Sequence, residues 1–376
     1  MDVVTFSSRQ AQNGKIIGIA TLNSERSLNA LSLPMVELLE PQLRAWRDDP
    51  EVACVWLQGA GEKAFCAGGD IVAMYSAMQN QPGQLVREVE EFFTREYQLD
   101  YLIQTFPKPF IVWGSGIVMG GGMGLMNGAS HRIVTETSRL AMPEVSIGLY
   151  PDVGGTYFLN RITDKLGLFL GLTGAHMNAN DALYLNLADH FAPMAEKEHI
   201  LAQLEQLAWG DTAALNKQKV TDLLESVAQQ HRSLLPRAQI KPHTEALQGL
   251  AEVEQVSDAV AYILALDSAD DKWLSRAQKT LAAGCPMTAH LVWNQIQHGA
   301  DLSLADCFKL ELTLSVNCAI KGDFAEGIRA LLIDKDQQPK WSHSSVADVP
   351  ADAVDAMFVS PWEAQQHPLH DLATTA

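Results

Sequence analysis

Twice in the first third of the chain, an apolar, β-rich run leads into a glycine loop that opens a helix. "VACVWLQG", Val52 to Gly59, is followed by "KAFCAGGDIVAMY", and "PFIVWGSG", Pro109 to Gly116, is followed by "GIVMGGGMGLMNGA". Strands that are apolar on both faces must be covered on both faces, which parallel sheets flanked by helices achieve. "KIIGIATL" and "HRIVT" add two further strands, and Leu33 to Asp48 has the Leu and Trp spacing of a helix. Beyond about residue 195 the strand signals thin out, and "EKEHILAQLEQLAW", "DAVAYILALDSADDKWLSRAQKTLAAG" and "LADCFKLELTLSVNCAI" carry helix-period apolar faces. The spacing therefore predicts an α/β first part over 1–195 and a mainly helical second part over 196–376. Gln229 to His243 has weak periodicity and two prolines and is expected to be a loop. The tail "SPWEAQQHPLHDLATTA" is expected to be loosely ordered.

Composition removes several classes of function. A chain of 376 residues, 47% hydrophobic, can bury a large core, and its length suggests two domains. The formal charge of -18 repels nucleic acid and anionic membrane surfaces. An anionic ligand therefore needs a local cluster of Lys and Arg. Five cysteines without a CxxC pair read as reduced thiols of a cytoplasmic protein. "MDVVTFSSRQ" has no basic start followed by an apolar run, and no segment reaches the ~18 apolar residues that span a bilayer. No phosphate loop of the GxxxxGK[ST] type, no GxGxxG and no GxSxG elbow is present. His131, His176 and His190 lack partners at metal spacing, and no metal or redox cofactor is expected.

Each glycine loop leaves backbone N–H groups unpaired at a helix start or in a turn that a ligand can approach. Two such groups converging on one point form an oxyanion hole, and each donor is worth roughly 2.7 to 4 kcal/mol in acyl chemistry. A third stretch, "LAMPEVSIGLYPDVGG", places one carboxylate directly after each of two prolines, Glu144 and Asp152, in otherwise apolar sequence. A proline fixes φ and holds the next residue near the start of a short helical turn, so both carboxylates are expected on rigid turns facing one apolar pocket. Desolvation raises such carboxyls, and their repulsion favours one shared proton.

"EKAFCAGGDI", "GIVMGGGMG" and "AMPEVSIGLYPDVGGTYFL", in this order and with "LNSERSLNALS" ahead of them, resemble the crotonase (enoyl-CoA hydratase/isomerase) superfamily. "GDFAEGIRALLIDKDQQPKW" is similar to its 3-hydroxyisobutyryl-CoA hydrolase branch. The resemblance implies a crotonase-like spiral of ββα turns followed by a helical region, usually in trimers or dimers of trimers. It implies an oxyanion hole from the N–H groups of Ala67 and Gly121, with Gly68, Gly69 and Asp70 beside the substrate. The hydratases carry one catalytic glutamate where this chain has Gly124 and a second where it has Glu144. The hydrolase branch has an aspartate matched by Asp152 and a glutamate matched by Glu96, within Arg95-Glu96-Tyr97.

The resemblance thus implies hydrolysis of a short β-hydroxyacyl-CoA, 3-hydroxyisobutyryl-CoA, as in valine breakdown, with Glu144 as nucleophile or general base. Enoyl-CoA hydration or isomerisation is the alternative, and Gly124 and Asp152 argue against it. CoA would be part of the substrate, so no further cofactor is implied. Arg26, Lys63 and Lys335 lie in segments that the family places near the nucleotide.

Overall fold

The structure is a computed structural model that describes residues 2–374. Its strands are β1 (Val4–Gln10), β2 (Ile16–Leu22), β3 (Val52–Gly59), β4 (Ala64–Cys66), β5 (Phe110–Gly114), β6 (Ile117–Met119), β7 (His131–Val134), β8 (Arg139–Ala141) and β9 (His190–Phe191). The chain folds into two compact units, each assembled from three stretches. One comprises the chain up to Gly69, Leu99–Leu140 and Met177–Lys241; the other comprises Asp70–Gln98, Ala141–His176 and the chain from Pro242 onward. Among the described residues no strand follows β9, so a boundary at 195/196 separates the chain by secondary-structure content.

The first unit holds a six-stranded sheet in the order β1-β2-β3-β5-β7-β9. β1 pairs antiparallel with β2, and every later pairing in this sheet is parallel. All five residues of β5 are buried, and in β3 only Gln58 is not, as expected of strands covered on both faces. β1 carries no apolar run, because an edge strand with one covered face buries little, and the sequence pattern does not disclose it. Trp56 and Trp113 stack at 5.7 Å from neighbouring strands. Over them pack Ile200, Leu201 and Leu204 of the helix Lys197–Gln206 and Val220, Leu224 and Val227 of the helix Ala213–Gln230. The smaller sheet, β4-β6-β8, aligns the two glycine loops, because β4 and β6 run parallel and each enters one of them.

The second unit is mostly helical. The long apolar stretch from residue 258 to 284 divides into the helices Val256–Ala265 and Lys272–Ala283, because Asp271 caps the second one through the N–H of Leu274. The predicted loop from Gln229 to His243 holds only two short 3-10 turns after the helix Ala213–Gln230 ends. The tail departs from expectation. His367, Leu369 and Leu372 are buried, and the Trp362 indole N–H donates to Glu90 at 2.9 Å. Apolar anchors spaced too sparsely to show a period tie it down. Thr375 and Ala376, the end of that predicted tail, lie outside the described residues.

Asp181, fully buried, holds the 229–243 segment in the first unit. One of its oxygens accepts from the N–H groups of Gln239 and Ile240 at 2.7 and 2.9 Å, and the other completes a capping box with Asn178. Asp181→Ala leaves three backbone donors without this acceptor and is expected to cost about 2–4 kcal/mol. Limited proteolysis would show faster cleavage between Gln229 and His243, with a lowered Tm.

Candidate active site

The glycine loops of the first unit lie in direct contact. A Cβ on Gly122 would stand 2.3 Å from the Cys66 carbonyl oxygen, so only glycine permits the helix Gly121–Asn127 to start there. Gly68 has φ +115, and a Cβ there would meet the Met119 carbonyl oxygen at 3.6 Å. Gly121 opens the helix, so its N–H has no intrahelical acceptor. Gly124 is buried in that helix and brings no carboxylate to it.

Ala67 requires a correction. Its N–H donates to the Leu28 carbonyl at 3.1 Å and is not available to an oxyanion. The same stitching continues around it: Asn29 donates to the Ala64 carbonyl at 2.9 Å, and the Leu31 N–H donates to the Gly68 carbonyl at 2.8 Å. Among the described residues, the N–H groups of Gly68 and Gly69 make no hydrogen bond, and they are the donors this loop has left. Family spacing alone does not reveal that Ala67 is committed to Leu28, a residue 39 positions earlier.

The carboxylates belong to the second unit. Pro143 is the N-cap of a 3-10 turn, Glu144–Ile147, and Gly148 closes it with φ 68. The turn is clamped on both sides: a Cβ on Gly148 would lie 2.6 Å from the Asp323 carbonyl oxygen, and the Cys285 N–H donates to the Val145 carbonyl at 2.9 Å. Glu144 is buried, and its Oε2 has no hydrogen-bond partner. Pro151 starts no helical turn of its own. Asp152 precedes Val153 and Gly154, both at positive φ, and the helix begins only at Gly155, whose N–H donates to the Asp152 carbonyl at 2.7 Å.

The surroundings of Asp152 are more polar than the apolar sequence suggests. The Tyr97 hydroxyl lies within hydrogen-bond distance of Asp152 Oδ2, at 2.7 Å, and of the Ser315 hydroxyl, also at 2.7 Å. Ser315 lies 2.8 Å from the Tyr150 hydroxyl, which donates to the Glu311 carbonyl at 2.5 Å. The Glu311 carboxylate accepts from the N–H groups of Gly154 and Thr156 at 2.7 and 2.8 Å, fixing the loop that carries Asp152. Gln295 adds bonds to the Pro151 carbonyl and the Thr156 hydroxyl. Glu96 is buried next to Tyr97 in the same helix. Glu311 and Ser315 went unread in the sequence. Their signal is a lone carboxylate with a hydroxyl four residues on, inside the apolar face of "CFKLELTLS".

These groups titrate abnormally. Burial first, then the charge of Asp152, holds Glu144 well above the usual carboxylate range. Burial raises Asp152 to about 7, against the lowering effect of the Tyr97 hydrogen bond. Burial raises Glu311 to about 8 although two backbone N–H groups favour its charged form. Among the described residues no ion pair reaches any of the three.

Of the remaining sequence candidates, Asp70 precedes the helix Ile71–Asn80 without capping it through its side chain. Arg26, Lys63 and Lys335 are exposed and form no ion pair among the described residues. No group of three or more His, Cys, Asp or Glu that could hold a metal ion exists among the described residues, and no helix there is long and apolar enough to cross a membrane.

Comparison with known proteins defines the class first. The family described as Enoyl-CoA hydratase/isomerase matches residues 17–358, and the chain belongs to that family. Its relatives narrow this further. A zebrafish (Danio rerio) protein named 3-hydroxyisobutyryl-CoA hydrolase, mitochondrial, is 40% identical over 344 residues, covering 91% of this chain and 87% of the relative. The Homo sapiens protein of the same name is 35% identical over 347 residues, covering 91% and 86%. Among solved structures, an enoyl-CoA hydratase from Rhodobacter sphaeroides aligns with TM-score 0.79 and 32% identity, covering 95% of this chain and 97% of that one. A carnitinyl-CoA dehydratase from Mycobacterium thermoresistibile aligns with TM-score 0.80 and 32% identity, covering 94% and 96%. The fold is accordingly the crotonase fold.

A carboxyl raised in the folded state binds its proton more tightly there than in the unfolded chain. Its stabilising contribution is full below the unfolded pKa near 4 and is lost as pH rises through the folded value. For Asp152 that window runs from the ordinary 3.8 to about 7, and for Glu311 from 4.5 to about 8. Thermal stability is therefore expected to fall between about pH 5 and 8. Asp152→Asn, neutral at every pH, flattens that slope; denaturant melts across this range check it.

Proposed function

We propose that the protein hydrolyses a short β-hydroxyacyl-CoA thioester, 3-hydroxyisobutyryl-CoA, to the hydroxy acid and CoA, a step of valine catabolism. The observation that carries this reading is the buried carboxyls Glu144, on a clamped 3-10 turn, and Asp152, on a loop held by Glu311, together with Gly124 where a hydratase needs its other glutamate. The names of the relatives cited above support it.

In this reading the thioester carbonyl oxygen accepts from the N–H of Gly121 and from the glycine pair Gly68–Gly69, with Gly69 taking the place first given to Ala67. Glu144 either attacks the carbonyl carbon or removes a proton from an attacking water. Both routes pass through a tetrahedral oxyanion, which the backbone donors stabilise more than they stabilise the substrate. In the first route the C–S bond breaks to leave a mixed anhydride on Glu144, which water then hydrolyses. Asp152 holds the 3-hydroxyl or passes a proton, Glu96 borders the acyl group, and Asp70 lies beside the substrate. Arg26, Lys63 and Lys335 reach the phosphates of CoA, a local positive charge that a chain of formal charge -18 needs for an anionic substrate. No metal or separate cofactor takes part.

The five cysteines are buried free thiols, which fits a reducing compartment. The proposal places the enzyme in the cytoplasm, whereas the animal relatives carry the word mitochondrial in their names. Assembly into trimers or hexamers belongs to the same proposal and is measured by light scattering.

Free-thiol release is expected from 3-hydroxyisobutyryl-CoA and not from crotonyl-CoA. Loss of the enoyl absorbance of crotonyl-CoA without thiol would make this chain a hydratase, the activity named for its structural relative from Rhodobacter. Glu144→Gln is expected to lower kcat roughly 10²–10⁴-fold while the ester still binds.

A further inference from the structure

Four oxygen-to-oxygen contacts run in series from Asp152 into the second unit: Asp152 to Tyr97 at 2.7 Å, Tyr97 to Ser315 at 2.7 Å, Ser315 to Tyr150 at 2.8 Å, and Tyr150 to the Glu311 carbonyl at 2.5 Å. Tyr97, Tyr150, Ser315 and Glu311 are all fully buried. The three hydroxyls own three protons. A carbonyl only accepts, so the Tyr150 proton lies toward Glu311. If Asp152 is ionised it also only accepts, and the Tyr97 proton lies toward it. Ser315 then has one proton for two contacts, and one pair of oxygens faces lone pair to lone pair in a buried place. If Asp152 carries a proton, each group donates to the next, Asp152 to Tyr97, Tyr97 to Ser315, Ser315 to Tyr150 and Tyr150 to the carbonyl. Every contact then holds one hydrogen.

We propose that the proton shared by Glu144 and Asp152 resides on Asp152, kept there by the hydroxyl chain Tyr97–Ser315–Tyr150, and that Glu144 is the ionised member of the pair. Glu144 has no comparable chain; burial and the charge of an ionised Asp152 both raise it, and a proton on Asp152 removes the second of these causes. The other ionisable groups around Asp152 are Glu96 and Tyr97 from the helix Arg87–Gln104, Glu144 and Tyr150 from the turns, and Glu311 and Cys318 from the helix Leu304–Lys321. All are acidic, so none draws the proton away from Asp152 by supplying positive charge. Ser315, Tyr97 and Tyr150 act here as positioning residues. This assignment rests on the proposed hydrolysis only for its use. When the C–S bond breaks, its electron pair goes to sulfur and Asp152 gives sulfur the proton. Water then adds oxygen and one hydrogen to the acyl carbon and returns the other hydrogen to Asp152, and the acid product releases its own proton to solvent.

The test needs no turnover. Infrared spectra of the resting enzyme at pH 6, with aspartate labelled by carbon-13 at the side-chain carboxyl, should show a carboxylic-acid C=O band that shifts with the label and vanishes in Asp152→Asn. The band should weaken in Ser315→Ala, where Tyr97 can donate to an ionised Asp152 while Tyr150 donates to the Glu311 carbonyl without conflict, and return in Ser315→Thr. In parallel, Ser315→Ala should lower kcat/KM about tenfold at pH 7 and move its alkaline limb to lower pH, while Ser315→Thr stays near wild type. The absence of any aspartic-acid band lost in Asp152→Asn would overturn the proposal. Failure of thiol release would leave this spectroscopic result standing and strike only the assigned reaction.

Discussion

Three carboxyls, Glu144, Asp152 and Glu311, are buried in one unit, and among the described residues none of them has an ion-pair partner; the local architecture follows from that constraint. An unpaired buried charge is costly enough that such groups either take up a proton or collect hydrogen-bond donors. Glu311 collects the two N–H groups of the Asp152 loop, and Asp152 joins the hydroxyl chain Tyr97–Ser315–Tyr150, which the proposed assignment completes with a proton on Asp152. Glu144 keeps one oxygen bare. In the proposed assignment Asp152 carries the proton and is the acid, which leaves Glu144 free to ionise and act as nucleophile or base. The division of labour between the two carboxyls arises from what each can reach.

The glycine loops of the first unit offer backbone N–H groups as donors. Its parallel strands β4 and β6 bring two glycine loops together so tightly that Gly122 leaves no space for a Cβ beside Cys66. N–H groups placed by backbone geometry need no reorganisation when charge develops on an oxyanion, which is the origin of their catalytic value.

Much of this was legible in the sequence. The strands of the main sheet were visible because both faces are covered, leaving unbroken apolar runs such as "VACVWLQG". Glu144 and Asp152 stood out as the two carboxylates in an apolar stretch, each directly after a proline, although only Pro143 opens a helical turn. β1 escaped because one exposed face dilutes its apolar content, and the order of the tail escaped because a few scattered anchors make no period. Ala67 was misassigned because family spacing counts residues but not hydrogen bonds. Glu311 and Ser315 show only as a carboxylate and a hydroxyl on an apolar helix face, because their partners, Gly154 and Tyr150, lie more than 150 residues away in sequence.

The central proposal is that Glu144 and Asp152 act on the thioester of 3-hydroxyisobutyryl-CoA. The most direct test is a crystal structure of Glu144→Gln holding 3-hydroxyisobutyryl-CoA. The account predicts the thioester oxygen within hydrogen-bond distance of the Gly121 N–H and of a Gly68–Gly69 N–H, the carbonyl carbon beside Gln at position 144, and the 3-hydroxyl on Asp152. A thioester bound away from those amides, or an acyl group out of reach of Asp152, would contradict it.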